Sequence, residues 1–131
     1  MSTQIESTAA GLAILLWASE PQSPHRLATP FFHAAAAAAL DLPVEMYFTA
    51  RSVCLLKPGV AELLRASARA KTIYDAMREA VAHGVVFYAC SDALEAQGLT
   101  STALIPECTR RGGAVQFMSR ASDLRWRTLV F

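Results

Sequence analysis

The sequence predicts an α/β protein, a single layered domain with a mainly parallel sheet of about five strands flanked by helices. Three observations point there. Short apolar runs alternate with helical patterns along the chain. One of those runs, Val85–Ala89, has no polar alternation, so it suits a strand covered on both faces, as in a parallel sheet. Hydrophobic residues make up 53% of the 131 positions and charged ones only 18%; that excess needs a sheet with both faces covered, a subunit interface, or both. Right-handed crossovers through the helices follow, and a flavodoxin-like strand order is one arrangement they allow.

Residues 1–131 read as one domain, with 1–10 as a flexible N-terminal segment. Leu12–Trp17 is the first buried strand. Ser19–Leu27 carries two prolines among polar residues and reads as a loop of unusual length. Thr29-Pro30 predicts a helix start, a capping residue followed by proline at the first helical position. The helix from Pro30 to Leu40 contains six consecutive alanines. With so little side chain it can lie close against a sheet or another subunit. Asp41-Leu42-Pro43 ends it, and Val44–Phe48 is the second strand. Thr49–Gly59 (TARSVCLLKPG) is a loop, with room for a short strand or turn, and Val60–Arg65 a brief helix.

A better helix is expected over Ile73–His83. Thr72 can cap it, Asp75 occupies the capping-box position, and Ile73, Met77, Ala80 and Val81 form one apolar face. Gly84 ends it. The third strand follows and stops at Cys90, where Ser91, Asp92 and the helix formers Ala93–Gln97 begin another helix. Between Leu99 and Gly113 the pattern fades, Thr102–Ile105 suiting either a helical turn or a poor strand. Gly113–Ala121 is helical in character, and Trp126–Phe131 is a final strand.

Composition narrows the function. A net charge of +1, with no basic run interleaved with aromatics, argues against nucleic acid. No apolar stretch reaches the roughly 18 residues of a membrane span. Met1–Thr8 lacks a positive charge and contains Glu6, the opposite of a secretory leader. A cytoplasmic location is expected, with the three cysteines as thiols rather than bridges. His25, His33 and His83 are scattered, and no Cys-x-x-Cys or His-x-x-x-His spacing occurs, which speaks against a structural metal or a thioredoxin-like pair. A Gly-x-Ser-x-Gly elbow, a phosphate loop and a dinucleotide fingerprint are also missing.

Cys90 is the residue with the best chemical position. It falls where a strand ends and a helix begins, at the sheet end where α/β proteins bind ligands. Backbone N–H groups and the helix dipole there favour a thiolate, while Asp92 two residues on opposes it. The alternative is a small buried hydrophobe closing a strand. Cys54, in the loop after the second strand, is either a resolving or second carrier thiol or a loop cysteine packed beside Val53 and Leu55. Arg51 and Lys57 flank it and could attract an anionic sulfur donor such as thiosulfate, or simply be solvated. Ser91 is a candidate binding residue beside Cys90, and Trp17, at the active end of its strand, is a candidate to line a pocket. Trp126 begins the last strand at the opposite end and reads as packing or interface. Cys108 has no assigned role.

The strand–helix–strand opening, FTARSVCLLKPG, GVVFYACSDALEAQGL and the closing WRTLVF together resemble the DsrE/DsrF-like proteins of sulfur relay systems, over Gly11–Phe131. The most specific part is Gly-Val-x-Phe-Tyr-x-Cys with the closing strand ending in phenylalanine. Glu107–Gly113 matches the family's fourth strand poorly. The resemblance implies a small α/β domain with a parallel sheet, assembled as a trimer or hexamer. It also implies a persulfide carried on the cysteine after the third strand, here Cys90, and passed to a partner thiol without a cofactor. The expected partners are a sulfur-donor or acceptor protein or a small sulfur anion, the pocket being formed by Ser19–Leu27 and Thr49–Gly59, shared or not with a neighbouring subunit. Two readings of other classes stand beside it. One is a non-catalytic oligomeric module binding a nucleotide or small anion; the other is a structural oligomer built on the alanine-rich helix.

Overall fold

In the computed structural model, which describes residues 9–131, four of the five strands coincide closely with the apolar runs of the sequence. They are β1 (Gly11–Leu16), β2 (Val44–Phe48), β3 (Val86–Ala89) and β5 (Trp126–Val130). The fifth, β4, is only Arg110–Arg111. All pairings are parallel, in the order β4-β3-β2-β1-β5. This differs from a flavodoxin-like order, because β1 has β2 and β5 as neighbours instead of β2 and β3. Most of the expected flexible segment 1–10 lies outside the described residues; Ala10 itself donates to the carbonyl of Arg125 and so is tied beside the start of β5.

One face of the sheet carries the main core. Ile14, Leu16, Met46, Phe48 and Phe87 are fully or almost fully buried there, under α1 (Ala28–Ala39) and α2 (Ile73–Ala82). Phe31 of α1 stacks on Phe48 with centroids 6.1 Å apart and meets Phe87 at 6.0 Å. The alanine run lets α1 pack directly against α2. The chain enters α1 straight from a 3-10 turn at Pro24–Arg26, so the helix begins at Ala28 and Thr29 is inside it, not its cap. Asp41, at φ 66°, takes the left-handed position that stops the helix. Helix α2 follows the sequence rules closely: the Thr72 side chain accepts from the Asp75 N–H at 3.1 Å, and Gly84 leaves at φ 102°.

Among the described residues the other face is covered by one helix, α4 (Ala114–Ala121), running back from the carboxyl end of the strands. Ala13, Tyr47, Tyr88 and Phe117 form a smaller cluster there. Tyr47 stacks on Tyr88 (4.9 Å, 10°), and Phe117 meets Tyr47 edge-on (5.5 Å, 76°). Glu45 also points to this face and is 8% exposed. Such a carboxylate needs partners, and it has them: the Tyr47 hydroxyl donates at 2.6 Å and Arg120 of α4 donates twice. Trp126 lies on this face as well, against Gly11, consistent with a packing role.

Candidate active site

Cys90 closes β3 and is the N-cap of α3 (Ser91–Ala96). Its backbone is fixed on both sides: Cys90 N–H donates to the Phe48 carbonyl at 2.9 Å, and Leu94 N–H donates to the Cys90 carbonyl at 3.0 Å. The short β4 brings the other wall. Ala89 is in register with Arg111, and Gly112 N–H donates to the Ala89 carbonyl at 3.1 Å. The chain then passes through Gly113 into α4.

Of the two glycines here, Gly112 is tightly enclosed and Gly113 lies beside the thiol. A Cβ at 112 would lie 3.0 Å from Tyr88 Cδ2 and 3.1 Å from Gln116 Oε1. A Cβ at 113 would lie 3.5 Å from the Cys90 Sγ, so the thiol faces bare backbone. Any longer side chain at 113 would crowd or cover it.

Between these walls is a cavity of about 620 Å³. Its apolar side is Leu15, Tyr47, Phe48, Val115, Phe117 and Met118; its polar groups include Cys90, Thr49, Ser91, Asp92 and Arg111. A volume in the range of roughly 300–1,000 Å³ suits a small organic molecule. The Tyr47 hydroxyl is not a free acid: burial, reinforced by its bond to Glu45, pushes its pKa well above the ordinary 10.0.

The residues expected from sequence divide cleanly. Cys90 and Ser91 line the cavity. Cys54, Arg51 and Trp17 do not. Thr49–Gly59 folds largely as a 3-10 helix, Ala50–Leu56, with Ser52 buried and its hydroxyl donating to the carbonyls of Leu16 (2.8 Å) and Thr49 (2.7 Å). Cys54 thereby faces Gln97 Oε1 at 3.7 Å. Burial pushes its thiol pKa up, outweighing the opposite pull of Arg51 and Lys57. Arg51 pairs instead with Glu20 at 3.4 Å. Trp17 is 58% exposed just beyond β1, where its backbone N–H donates to the Phe131 carbonyl.

The pocket expected from Ser19–Leu27 and Thr49–Gly59 is therefore corrected: of these only Thr49 contributes, and Arg111–Met118 supplies the wall. That segment is the part sequence reasoning missed. Its one signal is the Gly112-Gly113 pair ahead of a helical pattern. Cys108 is buried, its thiol within 3.8 Å of the Phe87 and Arg110 carbonyls, and burial raises its pKa. Among the described residues no group of three His, Cys, Asp or Glu side chains could hold a metal ion, and no helix is long and apolar enough to cross a membrane.

A parallel five-stranded sheet with a cysteine at the carboxyl end of its third strand defines the class of fold. The model of the DsrE/DsrF-like family matches residues 13–131, and the chain belongs to that family. Among solved structures, the ychN protein from E. coli superposes with a TM-score of 0.72 at 15% identity, covering 92% of this chain and 99% of that one. BT1422 from Bacteroides thetaiotaomicron, a conserved protein of unknown function, gives 0.67 at 16% identity, covering 95% and 97%. MTH1491 from Methanobacterium thermoautotrophicum, also of unknown function, gives 0.64 at 17%, covering 92% and 97%. At these identities the likeness is one of fold. No curated protein matches the sequence.

Proposed function

We propose that this protein is a sulfur carrier of sulfurtransferase type, holding a persulfide on Cys90 and handing its outer sulfur to a partner thiol. The observation that carries the reading is the Cys90 thiol itself, partly exposed on the cavity wall and faced by glycine backbone. In loading, the Cys90 thiolate attacks the outer sulfur of a donor persulfide; the new S–S bond forms as the donor's own S–S bond breaks, its electrons leaving with the donor thiolate. In unloading, an acceptor thiolate attacks the outer sulfur and Cys90 departs as thiolate. One S–S bond replaces another, so no redox cofactor enters. Thr49 and Ser91 line the same cavity, and their hydroxyls are the candidate donors to the charged sulfur.

The test is intact-mass analysis after exposure to thiosulfate, polysulfide or a persulfide donor. A gain of about 32 Da on wild type that vanishes in Cys90→Ser is expected. No adduct on any thiol in the absence of reductant, or one that survives in Cys90→Ser, ends the reading.

The carrier is further proposed to work in the cytoplasm as a homo-oligomer, a trimer or hexamer. Three free thiols suit a reducing compartment. Leu124, Leu129 and Val130 along the outer strand and the turn before it are exposed apolar side chains in want of cover. Light scattering that finds only monomer at working concentration overturns the assembly. A second reading, a non-catalytic module for a nucleotide or small anion, draws on Arg111, which has no carboxylate within ion-pair distance among the described residues. It requires a thermal shift with nucleotide or phosphate that persists in Cys90→Ser.

A further inference from the structure

The charge and shape of the cavity bear on what delivers the sulfur. Arg111 and Asp92 both line it, one positive and one negative, so its charged side chains give no net attraction for a dianion such as thiosulfate. Most of its wall is hydrocarbon and aromatic, and at about 620 Å³ it is far larger than a bare sulfur oxyanion. Val115 and Met118 extend the apolar wall outward and are themselves 87% and 55% exposed.

We propose that the cavity takes an organic sulfur donor, an apolar body with a singly charged sulfur-bearing end, the body lying on Leu15, Phe117 and Met118 and the charge beside Arg111. This rests on Cys90 being the sulfur-accepting thiol. Thiosulfonates, R–SO₂–S⁻, are the simplest probes of that class. The Cys90 thiolate attacks the outer sulfur, the Cys90–sulfur bond forms, and the bond from that sulfur to the sulfonyl sulfur breaks. The electron pair leaves with the sulfinate, R–SO₂⁻, and Cys90 carries the persulfide. No oxidant or reductant is needed.

The experiment compares rates of persulfide formation on Cys90 in the full chain with benzenethiosulfonate, methanethiosulfonate, thiosulfate and inorganic polysulfide. Each rate is divided by that donor's rate with free cysteine to remove intrinsic reactivity. The expected result is a normalised advantage of about tenfold for the phenyl over the methyl donor, with thiosulfate slowest. Met118→Ser should shrink the phenyl-to-methyl ratio, and Arg111→Gln should slow both thiosulfonates about threefold. Equal normalised rates for phenyl and methyl donors, or thiosulfate as the fastest, overturn the inference. If polysulfide still loads Cys90 in that case, the carrier reading survives its loss; if no donor loads Cys90, both fall together.

Discussion

Arg120 grips Glu45 with two parallel N–H donations, Nε to Oε1 at 3.0 Å and Nη2 to Oε2 at 2.9 Å. The same guanidinium sits 4.1 Å from the centroid of the Trp126 ring. One side chain of α4 is thus bound to β2 and to β5 at once, which fastens the helix that walls the cavity.

Removing that grip should cost stability. Arg120→Met leaves a nearly buried carboxylate with only the Tyr47 hydroxyl, and a loss of about 2 kcal/mol is expected from urea unfolding. Arg120→Lys should recover only part of it, because an ammonium cannot make the two-pronged contact. An Arg120→Met protein as stable as wild type would show that the pair contributes nothing.

The pair also sets a dependence on pH. Burial raises the Glu45 pKa, but the bonds from Arg120 and Tyr47 and the charges of Arg120 and Arg110 outweigh it, so the folded value lies below the ordinary 4.5. The unfolded chain therefore takes up this proton first as pH falls. The contribution is complete above about pH 5 and is lost as pH drops through the folded value. The stability difference between wild type and Glu45→Gln, followed by urea midpoint from pH 7 down to pH 3, should shrink. A constant difference would remove Glu45 from the acid response.

The three thiols should react in a set order. Cys90 opens on the cavity, Cys54 is half-buried with a raised pKa, and Cys108 is buried with a raised pKa. Iodoacetamide labelling followed by peptide mapping is expected to give Cys90 first, then Cys54, with Cys108 at least about tenfold slower than Cys90. Gly113→Leu should slow Cys90 selectively, since position 113 faces its sulfur. Labelling of Cys108 ahead of Cys90 would contradict the placement of both.

Gly11 has no room for a methyl group. A Cβ there would come within 2.5 Å of the Trp126 ring, whose other contacts include the Arg120 guanidinium. Gly11→Ala should destabilise the protein by about 1–3 kcal/mol and change the near-UV circular dichroism of the tryptophans. Adding Trp126→Leu should recover part of the loss in thermal unfolding. No recovery would mean the strain lies elsewhere.

What could be read in advance followed from how local each signal is. Thr72 and Asp75 are three residues apart, and their hydrogen bond is a property of that spacing. Val85–Ala89 announces a covered strand by composition alone, and Cys90 is located by where that run stops. Strand β4 gives no such sign: two exposed arginines cannot show alternation or hydrophobicity, and their pairing comes from the neighbouring Tyr88 and Ala89. The cavity inherits that gap, since its missing wall begins at Arg111. Glu45 was equally silent. Inside Val-Glu-Met-Tyr-Phe it reads as one polar residue in a strand, and only the fold brings Arg120 to it.

The pairing of β5 with β1 has a kinetic side. Gly11 finds its partner in Trp126, and Leu15 in Val130, so the first strand cannot complete its ladder until the ribosome has translated nearly the whole stretch described. Such distant partnerships slow folding. While it waits, the nascent chain holds the open edge of β1 without its final neighbour, a state that chaperones or premature self-association would meet first.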